Sequence, residues 1–224
     1  YEKDEVSMQF IFEQIDTAGD RNFGYLIGDR KSKEAVIIDP SFRPEFIVRR
    51  AEAQELRILK IINTHSHQDH TFGNLIAKRL TGAKIYAWHE AEMQKDVGLK
   101  DLDRLVIGSF ELQILHTPGH IEDHIVIYNP DFNVLITGDH LFVGKVGGTK
   151  GEKEAKQQYE SFQRMLHLIP KETTIWPGHH YGCRPSSTLD LEQKTNPFLI
   201  ARNFHEFLEV KASWKAIKLK NGLI

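Results

Sequence analysis

A β-rich run, Ile58-Leu59-Lys60-Ile61-Ile62, leads straight into Thr64-His65-Ser66-His67-Gln68-Asp69-His70. Four metal-ligating side chains therefore fall within residues 65–70, at the end of a predicted strand. Residues two apart in extended backbone point the same way, so His65 and His67 can hold one ion side by side. Asp69 and His70 come after a turn and can face a second ion. The fold must hold this strand end firmly while leaving it open to solvent.

Three later segments repeat the design. His116-Thr117-Pro118-Gly119-His120, Thr137-Gly138-Asp139 and Trp176-Pro177-Gly178-His179 each place a ligand just past an apolar strand. Strand ends gathered at one sheet edge would converge on a single pocket. His65, His67 and His120 supply three nitrogens to one ion. Asp69, His70 and His179 supply a mixed set to another, and the two oxygens of Asp139 can bridge both. This donor set suits two divalent ions, zinc or iron or manganese. Water shared by two cations becomes hydroxide near neutral pH, with metal charge stabilising the oxyanion that forms. Asp69 and Asp139 are the candidate catalytic carboxylates. His116 and His180, next to ligands, are expected to support them from behind. His89, His167 and His205 are expected to be structural or exposed.

Residues 8–15, 25–28, 35–40, 58–64 and 84–88 read as strands. A helix is predicted from Pro44 to Glu55. Another follows Phe72, with Phe72, Leu75, Ile76 and Leu80 on one face and Gly82 as its end. Residues 104–108, 110–114, 124–130 and 133–139 read as a second group of strands. Then comes a helix whose Ala155, Tyr159, Phe162, Leu166 and Ile169 share a face, closed by Pro170. Residues 173–178 form a last strand. The tail offers Ser187 as an N-cap and a helical segment from Phe198. The order predicts two packed sheets with helices outside, an α+β class distinct from a doubly wound sheet.

Composition excludes several functions. Twenty-nine Lys plus Arg against 31 Asp plus Glu give a net charge of −2 over 224 residues. That balance argues against a general grip on nucleic acid or anionic membrane. One cysteine, Cys183, excludes an internal disulfide and fits a reducing, cytoplasmic compartment. The first ten residues lack an apolar core of the secretory type, and no run approaches the roughly 18 apolar residues of a membrane helix. Oligomeric state is left open.

In this order the motifs His65-x-His67-x-Asp69-His70, His120, Asp139 and His179 resemble the metallo-β-lactamase superfamily. The resemblance spans roughly residues 8–182. It implies an αββα sandwich over 1–182 with a dinuclear site at one edge, and a short helical extension, 183–224, packed on it. Asn22-Phe23-Gly24-Tyr25, Gly138-Asp139-His140-Leu141-Phe142-Val143-Gly144-Lys145 and Pro177-Gly178-His179-His180-Tyr181-Gly182 resemble glyoxalase II. That branch hydrolyses S-lactoylglutathione, so the implied substrate is a small acyl thioester of glutathione or another thiol. Tyr181 stands where the family has a glutathione contact. Gly148 stands where it usually has Lys or Arg, leaving Lys145 and Lys150 as expected substitutes. Two other activities share the fold. Persulfide dioxygenases carry Gly-Arg-Thr-Asp where this chain has Gly147-Gly148-Thr149-Lys150. Nucleases and phosphodiesterases find local support only in Asp123-His124.

Overall fold

The computed structural model describes residues 9–220. The first eight residues, where the sequence predicts no signal segment and the start of a strand, lie outside the described residues, as do 221–224. One sheet runs in the order β1 (Phe10–Asp16), β2 (Phe23–Asp29), β3 (Glu34–Ile38), β4 (Arg57–Ile62), β5 (Lys84–Trp88), β6 (Val97–Leu99). The first three strands are antiparallel and the rest join in parallel. Parallel neighbours need crossovers. These carry α1 (Pro44–Glu52), then α2 (Gln68–Thr71) and α3 (Asn74–Thr81).

The second sheet contains β7 (Arg104–Ile107), β8 (Phe110–His116), β9 (Ile125–Asn129), β10 (Val134–Gly138), β13 (Thr174–Pro177) and β14 (Ser187–Thr188), with β13 lying between β10 and β14. A ribbon of β11 (Leu141–Phe142) and β12 (Lys145–Val146) precedes α4 (Glu152–Leu168), the crossover from β10 to its parallel neighbour β13. The tail forms α5 (Leu189–Thr195), α6 (Pro197–Ile200) and α7 (Phe204–Lys220). Among the described residues no helix is long and apolar enough to cross a membrane.

Strand alternation sets the layers. Tyr25, Ile27, Val36 and Ile38 face inward and meet Leu112, Ile114, Ile125 and Ile127 of the other sheet. Leu26, Ala35 and Ile37 face outward and are covered by Ile47, Val48 and Ala51 of α1 and Ala77 of α3. On the far side, Val126, Leu135 and Ile175 are covered by Phe162 and Met165 of α4 and by Phe198 and Phe207 of the tail. The result is an αββα sandwich with C-terminal helices, the architecture that the resemblance implies.

Three expectations change. The face predicted from Phe72, Leu75 and Leu80 is not the packed one: these side chains are 62%, 56% and 49% exposed. The helical run breaks between α2 and α3, and Asn74 and Ala77 turn inward instead. Asn74 Nδ2 donates to Asn63 Oδ1 at 2.7 Å, so polar pairing, not apolar spacing, sets this helix's rotation. The cap expected at Ser187 belongs to Thr188, whose Oγ1 accepts from Leu191 N at 3.2 Å. Ser187 is occupied as a strand residue opposite Ile175. The helix expected from Phe198 is two helices, separated at residues 201–203.

Candidate metal centre

Strand ends from both sheets meet at one edge of the sandwich. His65 and His67 follow β4, Asp69 and His70 lie on α2, and His120 follows β8. Asp139 follows β10 and His179 follows β13, which is hydrogen-bonded to β10. Gly178 allows this approach: a Cβ there would stand 2.5 Å from Asp139 Oδ1 and 2.8 Å from His70 Cε1.

The structure brings the seven side chains into three overlapping groups, with ligand atoms within 4.8 Å of one another in each: His65, His67, His120; His65, His70, Asp139; and Asp69, His70, His179. His67 Nδ1 lies 2.9 Å from His65 Nε2 and 3.1 Å from His120 Nε2. Asp139 faces both ends. Its Oδ1 is 2.8 Å from His179 Nδ1 and 3.5 Å from His70 Nε2; its Oδ2 is 3.7 Å from His120 Nε2. Asp69 Oδ2 is 3.0 Å from His179 Nε2.

Several ligands are fixed from behind, and sequence reasoning missed most of those supports. His120 Nδ1 donates to Gly148 O at 2.8 Å, leaving Nε2 for the centre. His65 Nδ1 pairs with Thr64 Oγ1 at 3.0 Å. His70 Nδ1 pairs with Asp39 Oδ2 at 2.9 Å. Asp39 also accepts from Thr64 N at 2.9 Å and Thr64 Oγ1 at 2.6 Å. Its backbone is in the left-handed region, φ 48°, a cost that tightly determined sites retain. Asn22 Nδ2 donates to Asp69 Oδ2 at 2.8 Å. His124 accepts from Asp139 N at 3.1 Å through Nε2, while its Nδ1 pairs with Thr117 Oγ1 at 2.9 Å. Asp39 stands just past β3, but the sequence reads it as part of the strand 35–40, and its contact with His70, 31 residues on, appears only in the fold.

Electrostatics divides the ligands. Burial, then the charges of neighbouring histidines, holds His65 well below the ordinary imidazole value; burial and His120 lower His67. Both stay neutral, as metal ligands must. Burial opposes protonation of His70 and His179 too, yet the adjacent carboxylates raise both. Asp69 and Asp139 sit below the usual carboxylate range, because those two imidazoles outweigh burial. The recorded ionic partners of Asp39, Asp69 and Asp139 are all histidines.

A metal pair fits this donor set. Buried His70 Nε2 has no hydrogen-bond partner, although it points between two carboxylates. The three nitrogens of His65, His67 and His120 converge with two of the rings held neutral. Both arrangements call for a cation.

The remaining predicted residues are placed as follows. The Tyr181 hydroxyl donates to Asp20, and its ring stacks on His179 at 4.6 Å. Lys145 Nζ lies 3.8 Å over that ring. Lys145 and Lys150 line a cleft of about 440 Å³, with Lys211, Trp214 and Lys215 of α7 on its other wall. Gly148 also borders the cleft, with open space where a side chain would project. His180 is exposed and its ring lies 5.5 Å from Phe23. The His116 ring stacks on Trp88 at 3.8 Å and bonds Glu122 O, so it is turned to its own loop and β5. Asp123 accepts from Ser66 N at 3.2 Å. His140 is fully buried, stacked 4.0 Å from Phe162, with neither ring nitrogen partnered among the described residues. Burial, then His120 and Lys211, pushes it down to about 3.

Comparison with known proteins agrees with this geometry. The family model of the metallo-beta-lactamase superfamily matches residues 19–180. A hydroxyacylglutathione hydrolase of Polaromonas sp. is 36% identical over 166 residues, covering 72% of this chain; the chain spans only 63% of that enzyme's length. The mitochondrial persulfide dioxygenase ETHE1 of Homo sapiens is 33% identical over 210 residues, covering 92% of this chain and 80% of that protein. Among solved structures, ETHE1 from Myxococcus xanthus superposes with a TM-score of 0.82 at 29% identity, covering 89% of each chain.

Proposed function

The chain belongs to the metallo-β-lactamase superfamily, and from that premise we propose that it is a two-metal hydrolase of the glyoxalase II type, cleaving S-lactoylglutathione or a similar acyl thioester. The observation that carries this reading is Asp139, whose two oxygens address the two ligand sets separately. A single carboxylate placed this way is what a shared pair of ions requires. Bound divalent ions supply an activated water at neutral pH and polarise the acyl carbonyl.

In the hydrolysis, water adds to the acyl carbon, the C–S bond breaks, and a carboxylic acid and a thiol result. A thiolate leaves without strong acid assistance, because thiol pKa values lie near ~8.5. Asp69 stays ionised and is oriented by Asn22, so it can hold a proton of the attacking water. The thiol portion lies toward the lysine cleft. Gly147 O accepts from Lys211 Nζ at 3.2 Å and Gly148 O from His120, so this glycine pair separates the metal centre from the cleft by one stretch of backbone. Lys145, Lys150 and Lys215 offer positive charge to an anionic thiol such as glutathione, and Tyr181 borders both His179 and Lys145.

A second reading is persulfide dioxygenase. His65, His70 and Asp139 form a buried two-histidine, one-carboxylate group, the type that holds iron(II) in oxygenases. Hydrolysis of S-D-lactoylglutathione by metal-replete protein, with an EDTA-stripped control, separates the two. Metal-dependent turnover supports the thioesterase. No turnover, together with oxygen uptake on glutathione persulfide, overturns it in favour of the oxygenase.

A further inference from the structure

We propose that the rim beside Asp69 is an acyl-chain site, making the substrate an apolar acyl thioester whose hydrocarbon chain lies on Phe42 and Phe72. This rests on the thioesterase reading above and goes beyond it by assigning the acyl group. Phe72 is 62% and Phe42 40% exposed, and their rings meet at 5.5 Å. Leu75, 56% exposed, follows three residues later at the start of α3. Phe72 and Leu75 belong to the spacing that predicts a core-facing helix, yet Asn74 and Ala77 take the inward positions.

The patch is continuous with the metal centre. Asp69 and Phe72 are three residues apart across the single turn of α2, so they share a side. A Cβ on Gly19 would stand 2.3 Å from the Phe42 ring and 2.6 Å from Asn22 Oδ1, so that ring and the side chain orienting Asp69 flank one glycine. Ser41 N donates to His70 O at 3.3 Å, tying the Phe42 loop to the ligand helix. The lip therefore borders Asp69, while the lysine cleft meets the His120 side through Gly148. A thioester with its carbonyl at the centre and its anionic thiol in the cleft directs its acyl group to the lip. An apolar chain there covers aromatic surface that water otherwise wets.

The test is calorimetric binding of S-hexylglutathione and S-methylglutathione to metal-free and metal-replete protein, for wild type, Phe42→Ser and Phe72→Ser. Each well-buried methylene gives about a fourfold gain in affinity. A half-covered chain of this length should bind at least about tenfold tighter than methyl. Either serine variant should cut that preference to about threefold or less, and should lower the hexanoyl-to-lactoyl ratio of kcat/KM. Both positions are surface-exposed, and circular dichroism checks that the variants fold. Absence of S-hexylglutathione binding, equal binding of the two ligands, or an undiminished preference in both variants overturns the proposal. So does a concentration-dependent dimer that Phe72→Ser dissociates without altering chain-length preference, because the lip is then an interface between copies. A serine-sensitive hexyl preference in a protein that hydrolyses no thioester sinks the thioesterase reading and leaves the apolar site standing.

Discussion

On the floor of the site, four ligands are each tied to a second group: His65 to Thr64, His70 to Asp39, His120 to Gly148 O, and Asp139 N to His124. The walls are built otherwise. Lys150 projects from a loop, Lys215 is exposed on α7, and Phe72 stands in solvent just past α2. The floor residues Asp39, His65, His70, His124 and Asp139 are buried, so each must find a partner or leave a costly unpaired group. The wall residues meet no such demand. On the proposed reading, reaction chemistry is thus concentrated where substitution is expensive, and substrate choice where it is cheap.

The largest effect should come from the floor's shared group. Asp139→Ala is expected to lower kcat/KM at least about a thousandfold, since metal charge supplies several kcal/mol of transition-state stabilisation. Metal content per chain should fall for both ligand sets, while circular dichroism keeps the wild-type shape. Full activity in this variant would remove the bridging role and, with it, the two-metal hydrolase.

Next comes the support behind the floor. Asp39→Asn keeps a residue type that tolerates left-handed backbone but removes the negative charge facing His70 and Thr64. Ten- to hundredfold weaker metal binding is expected, by competition with a chelator of known affinity. Unchanged binding would show that the floor is held by its ligands alone, and the contrast with the walls would collapse.

The same contrast explains what could be read from the sequence. His65, His67, Asp69, His70, His120, Asp139 and His179 announce themselves because each is a ligand type just past an apolar strand. The two-sheet order is equally visible in the apolar run Tyr25–Ile27 and in the alternation of Phe110, Leu112 and Ile114. Asp39 and His124 were hidden because their roles depend on contacts across the fold: Asp39 lies 31 residues from His70, and His124 lies 15 from Asp139. Phe72 and Leu75 misled for the opposite reason. Their spacing is helical, but Asn74 is drawn inward by Asn63, which rotates the apolar residues to the outside. The α7 lysines carry no motif at all; only the packing of Phe198 and Phe207 brings that helix beside the glycine loop.

The smallest expected effects lie on the lysine wall, and they are the sharpest check on the division. Exposed charge pairs contribute little individually, about two- to fivefold in an equilibrium constant. Lys150→Ala and Lys215→Ala should each raise KM for an anionic thioester by that factor, with kcat and metal affinity unchanged. Screening supplies the control. At about 1 M salt the Debye length shrinks to ~3 Å, so the wild type should lose its advantage over both variants. A drop in kcat would mean that the cleft also positions the reacting carbonyl, and the boundary between floor and wall would have to move to include α7. A KM difference that survives high salt would assign the lysines to packing of the cleft through their aliphatic stems, leaving the anionic end of the substrate to be bound elsewhere.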